Sequence, residues 1–174
     1  MKKFLKGGAL MDDFQDVLLA NQSFTQHFTS EDLTGTALKG LAIVTCMDSR
    51  IDPLRIVGMH SGDAKILRNA GARVTDDVLR TLVLATHLLG VNRVLVMPHT
   101  DCRMANTDEA GIHAAISTKS GVDTRSLDFQ TTLDQRGALL KDIVKIESYP
   151  LLHNEVRVMG AIYDVKSGLL SPIN

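Results

Sequence analysis

Two runs of four consecutive apolar residues stand out along the chain, Leu41-Ala42-Ile43-Val44 and Val94-Leu95-Val96-Met97. Runs this short and uniform suit strands buried on both faces of a sheet. The pattern predicts strands over 41–45 and 93–97, another over 64–67 and a last one over 156–163. Pro98 has no N–H for a ladder and ends the 93–97 strand. Between the strands, apolar positions recur at helical spacing. Val78, Leu82, Ala85 and Leu89 follow Thr75-Asp76-Asp77, which cap and charge a helix start, and Gly90 stops that helix. Asp52-Pro53 marks the start of a short helix ending at Gly58. Helices are also expected over 106–118 and 129–148, the second halted by Tyr149-Pro150, with a polar loop over 119–128 between them. Upstream, residues 12–28 read as a helix with Phe14, Val17 and Leu18 on one face, and 29–40 as a surface loop. At the far end, residues 164–168 read as a turn into Leu169-Leu170.

Alternating strands and helices argue for an α/β fold, a mainly parallel central sheet flanked by helices. One domain over 1–174 is expected, with residues 1–40 as a helical arm and loop and 41–174 as the α/β core. Ligands of such sheets bind outside the carboxyl ends of the strands. Cys46-Met47-Asp48-Ser49-Arg50 follows one buried run and His99-Thr100-Asp101-Cys102 follows the other, so both segments belong at that end.

Composition narrows the function. At 174 residues, 44% hydrophobic and 22% charged, the chain is an ordinary globular one, long enough for a substantial core. A net charge of −1 gives no electrostatic ground for nucleic acid or an anionic membrane, and the absence of Trp argues against a base-stacking surface. Met1-Lys2-Lys3 begins like a secretion signal, but no apolar h-region follows and no run approaches a membrane span. A cytoplasmic location is the expectation. There, two cysteines are free or metal-bound rather than disulfide-linked.

Two thiols and an imidazole converging on two strand ends suit one zinc ion: Cys46, His99 and Cys102 as ligands, with a fourth position for water. The chemical rival is a nucleophilic or redox thiol activated by His99. Asp48 and Arg50 read either as a surface ion pair or as a bidentate dyad that keeps Asp48 ionised beside the metal. Zinc with two thiolates is neutral overall, so an ionised Asp48 is well placed to take a hydrogen bond from a nucleophile. It can also bind the metal itself, with Arg50 competing for it. Asp101 reads as solvated.

These segments resemble the β-class carbonic anhydrases, in particular the compact bacterial members. Cys46–Arg50 matches that family's C-x-D-x-R motif and His99–Cys102 its H-x-x-C motif. Arg68-Asn69-Ala70-Gly71 resembles the R-N-A-G segment between them, and 157–168 follows its G-x-x-Y/F-D-V-x-x-G ending. The resemblance implies a lyase, carbonate dehydratase, which interconverts carbon dioxide and bicarbonate through attack by zinc-bound hydroxide. It implies one Zn2+ per chain on Cys46, His99 and Cys102. It further implies Asp48 and Arg50 as the catalytic dyad and a homodimer or multiple of dimers. Gly71 reads as serving backbone geometry, with the segment Asn69-Ala70-Gly71 lining the substrate pocket. Carbonyl sulfide and carbon disulfide hydrolases share the scaffold and the ligands, and a non-catalytic zinc- or bicarbonate-binding relative is a third reading. One departure is Arg103, where the family usually has Gly after the second cysteine.

Overall fold

The computed structural model describes residues 13–29 and 33–173. The chain divides into two compact units between Leu33 and Thr34. The described part of the first unit holds one helix, α1 (Gln15–Thr25), shorter at both ends than the pattern suggested. Asp12, expected at its start, lies outside the described residues.

The second unit carries a sheet of five strands: β1 (Leu41–Cys46), β2 (Ala64–Asn69), β3 (Arg93–Met97), β4 (Arg157–Tyr163) and β5 (Leu170–Pro172). Their order is β2-β1-β3-β4-β5. The first four are parallel, and β5 returns antiparallel along β4. The helices are α2 (Pro53–Ile56), α3 (Asp76–Leu88), α4 (Glu109–Ser120) and α5 (Gln135–Glu147), with single 3-10 turns at Ala70–Ala72 and Arg103–Ala105. The expected α/β architecture is the one observed. Among the described residues no helix is long and apolar enough to cross a membrane.

β1 is buried along its whole length, between β2 and β3. Its alternate residues feed two cores. Ala42 and Val44 join Val94, Val96, Leu82, Leu139 and Ile146 on one side. Leu41 and Ile43 join Leu95, Met97 and Ala161 on the other. Each fully buried aliphatic side chain stabilises the fold by roughly 1.5–3 kcal/mol. That two-sided burial accounts for the uniform runs in the sequence. The register sets Thr45 opposite both Arg68 and Met97, so three strands end at one level.

The helix starts follow the capping signals. Thr75 accepts a hydrogen bond from the Val78 amide, Asp52 from Arg55, Asp108 from Gly111 and Asp134 from Gly137. The last two caps also correct the expected boundaries. The 129–148 helix begins only at Gln135, because Asp134 terminates it with its side chain. Residues 129–134 instead run irregularly, with Gln130 at φ 58°. Their amides are taken up elsewhere: Phe129 and Thr131 donate to the Glu109 carboxylate and Thr132 to the Met104 carbonyl. β5, read from sequence only as the end of a turn, is the second correction. Ile173 continues it by donating to the Gly160 carbonyl.

Candidate metal centre

Cys46 closes β1, while His99 and Cys102 sit on the loop after β3. The register brings the two segments together. All three side chains are buried, and their ligand atoms lie within 4.8 Å of one another. The two sulfurs are 3.9 Å apart. Tetrahedral zinc with Zn–S bonds of about 2.3 Å separates two thiolates by about 3.8 Å, so the spacing fits. His99 fits as well. Its Nδ1 donates to the Thr100 carbonyl at 2.8 Å, which leaves Nε2 as the lone-pair nitrogen. That Nε2 is the one buried side-chain N or O without a partner among the described residues. A buried acceptor left unmatched costs roughly 1–3 kcal/mol; a cation held beside the sulfurs removes that cost.

The loops that carry these groups are pinned. The His99 carbonyl accepts from Gln135 Nε2 at 2.9 Å. Thr100 bonds through its amide to the Tyr163 carbonyl and through Oγ1 to the Val165 amide. On the other segment, Arg68 donates to the carbonyls of Cys46 at 2.9 Å and Asp48 at 2.7 Å. Gly71 has φ 81°, a left-handed angle that Gly adopts without strain, and its amide points at the Cys46 sulfur at 3.4 Å. A Cβ there would meet the Cβ of Met104 at 3.0 Å.

Asp48 and Arg50 form the bidentate pair. Arg50 Nε reaches Asp48 Oδ1 at 2.9 Å and Nη2 reaches Oδ2 at 2.8 Å. Asp48 Oδ2 then stands 3.8 Å from His99 Nε2, beside the ligand cluster. Asp101, read as solvated, is exposed but not free: it accepts Arg50 Nη1 at 2.8 Å on its carboxylate. Its main-chain carbonyl takes Nη2 at 3.1 Å. Arg103 is exposed and lines an open cleft with Asp48, Arg50, Asp101, Asn106 and Thr107.

The charges are arranged for a cation. The contact with the Cys102 sulfur, helped by His99 and the Gly71 amide, lowers the Cys46 thiol against the effect of burial. The same contact with Cys46, together with burial, raises Cys102 well above the usual thiol range. Burial opposes a charge on His99, yet contact with Cys46, the Thr100 carbonyl and Asp48 raises it. Arg50 holds Asp48 well below the usual carboxylate range. Without metal, then, the centre supports one thiolate; a second needs a positive ion between the sulfurs.

Of the three residues expected beside the substrate, Gly71 touches Cys46. Asn69 closes its own loop: its side chain donates to the Arg73 carbonyl and accepts from the Arg73 amide. Ala70 opens the short 3-10 turn between them. Sequence reasoning missed the supporting roles of Arg68, Gln135 and Asp101. Arg68 alone had a signal, since it stands next to the end of β2, the strand that pairs with the one carrying Cys46.

Residues 41–170 match the family model described as carbonic anhydrase. The chain is 33% identical over 135 residues to β-carbonic anhydrase 1 of Mycobacterium tuberculosis, covering 78% of this chain and 82% of that one. It is 29% identical over 157 residues to a carbon disulfide hydrolase of an Acidianus strain, covering 77% of each. The crystal structure of carbonic anhydrase from Streptococcus mutans superposes with a TM-score of 0.87 at 36% identity, covering 92% of this chain and 97% of that one. The match over most of the α/β unit, in sequence and in backbone, places this chain in the β-carbonic anhydrase family.

Proposed function

We propose that this protein is a zinc-dependent carbonate dehydratase that reversibly hydrates carbon dioxide to bicarbonate and a proton. The observation that carries the reading is the unmatched His99 Nε2 facing two sulfurs, with an ionised Asp48 held 3.8 Å away. Cys46, His99 and Cys102 would hold the metal. Zinc, when bound, supplies Lewis acidity that lowers the pKa of water toward neutrality. The remaining work falls to the chain. Asp48 accepts a hydrogen bond from the nucleophile and directs its lone pair at the carbon of CO2. Arg50 keeps Asp48 ionised and aimed. The Gly71 amide and Arg68 hold the Cys46 segment in place. Bicarbonate leaves toward the open cleft, and the proton passes to buffer.

The same machinery suits attack on carbon disulfide or carbonyl sulfide, and the similarity to carbon disulfide hydrolases favours this as the second reading. A dimer or multiple of dimers in the cytoplasm belongs to the proposal as well. Stopped-flow CO2 hydration on protein of known zinc content, with Cys46→Ser as control and carbon disulfide in parallel, tests both. Zinc-dependent CO2 turnover lost in Cys46→Ser is the expected result. Full zinc with turnover of carbon disulfide alone transfers the assignment to the second reading, and full zinc with neither activity overturns both.

A further inference from the structure

Arg50 makes four side-chain hydrogen bonds, two to Asp48 and two to Asp101. The Asp48 half lies within one exposed loop, and such a pair alone is free to swing with its loop. The Asp101 half is different in kind. Asp101 lies between His99 and Cys102, so its contacts brace Arg50 against the second ligand-bearing segment. Two groups of one residue do this, the carboxylate at 2.8 Å and the main-chain carbonyl at 3.1 Å. Asp101 also has φ 55°, a left-handed angle uncommon outside Gly, in which Asp and Asn are enriched. The guanidinium is thereby fixed at Nε, Nη1 and Nη2 together, leaving it no axis about which to turn without breaking a bond.

We propose that Asp101 is a positioning residue: through its carboxylate and carbonyl it locks Arg50, and through Arg50 it fixes the direction of the Asp48 carboxylate over the metal centre. The proposal deepens the functional reading above and rests on the roles given there to Asp48 and Arg50. Its consequence is that the dyad is a triad spanning both segments, Asp48–Arg50–Asp101, with the outer carboxylate touching neither ligand nor substrate.

The test uses the zinc-loaded full chain and two variants. Asp101→Gly removes the carboxylate while suiting the left-handed backbone, so the fold survives. Asp101→Asn keeps an oxygen acceptor without the charge. The direct readout is the Arg50 guanidinium in nitrogen-15 NMR, assigned with Arg50→Lys. Slow guanidinium rotation and hydrogen exchange are expected in the parent, faster in Asp101→Asn and fastest in Asp101→Gly. In CO2 hydration, kcat should fall roughly 10-fold or more in Asp101→Gly with KM little changed, the scale seen for groups that support a metal site from outside. Asp101→Gly should add nothing to Arg50→Ala, because it acts through that residue. An Arg50 signal equally mobile in parent and Asp101→Gly, or an unchanged kcat beside a loosened Arg50, overturns the proposal. If the parent turns over neither CO2 nor carbon disulfide, the functional reading fails, and the guanidinium signal alone decides whether Asp101 locks Arg50.

Discussion

At the scale of single residues, the buried charges carry the sharpest expectations. Arg73 donates from Nε to Asp142 at 2.8 Å, and their side chains are only 17% and 7% exposed. Arg73 also donates to the Gln130 carbonyl, so it ties the irregular 129–134 segment to α5. Arg73→Ala strands Asp142 in the core and should destabilise the fold by about 3–5 kcal/mol, whereas Arg73→Met with Asp142→Leu recovers most of that loss. Urea unfolding of the three proteins measures it.

The thiols give a second expectation. Their contact lowers Cys46 and raises Cys102, so without metal the two sulfurs keep one proton between them, and His99 is raised as well. Zinc uptake at neutral pH should therefore release the proton that the two sulfurs share, plus whatever His99 still carries. Calorimetry in buffers of different ionisation enthalpy counts them. The sign for acid follows from the same shifts. As pH falls, protons compete for both sulfurs and for His99 Nε2, so zinc is retained at high pH and lost toward low pH.

At the scale of elements, close approach and capping decide. Gly160 lies where α5 crosses β4; a Cβ there would stand 2.7 Å from Ile143 Cδ1 and 3.0 Å from Leu139 Cγ. Gly160→Ala should cost about 1–3 kcal/mol through overpacking, read as a lower midpoint in urea. Asp134→Ala removes the cap of α5 and should cost about 0.5–2 kcal/mol. These positions also show how much of the fold the sequence made legible. The buried runs at 41–44 and 94–97 disclosed the central strands, because burial on both faces leaves no polar alternation to misread. Thr75, Asp52 and Gly90 marked helix ends through local chemistry. The 129–134 segment was misread as helix because its amides are satisfied by Glu109 and Met104, partners remote in sequence. β5 was missed because three residues carry no period, and only pairing with β4 makes them a strand. The ligand triad was legible by residue type and strand-end position. Asp101 was not, since nothing local says that an exposed carboxylate faces an arginine 51 positions away.

At the scale of the whole molecule, the metal links the site to the stability of the α/β unit. Zinc that binds only the folded chain stabilises it by about 4 kcal/mol at a free concentration 1,000 times its Kd. Chelation should lower the melting temperature in proportion, and added zinc should restore it; a midpoint indifferent to zinc means that the centre is not loaded. The parallel order β2-β1-β3 makes the centre non-local. Cys46 and Cys102 are 56 residues apart and meet only once β1 and β3 have paired across the intervening α3. Assembling the site therefore requires closing a long loop, the kind of non-local contact that slows folding.

The sulfur pair has a further consequence once the ion is taken away. A thiolate 3.9 Å from a thiol needs to close only to about 2.05 Å for a covalent bridge. Stripped of zinc, the centre is a dithiol poised for two-electron oxidation, and its loss in air would be chemical rather than conformational. Metal-free protein left without reductant should lose titratable thiols in pairs while keeping its secondary structure, and zinc should then fail to rebind until the bridge is reduced. The ion that would serve the reaction would also act as the guard that keeps its own ligands reduced.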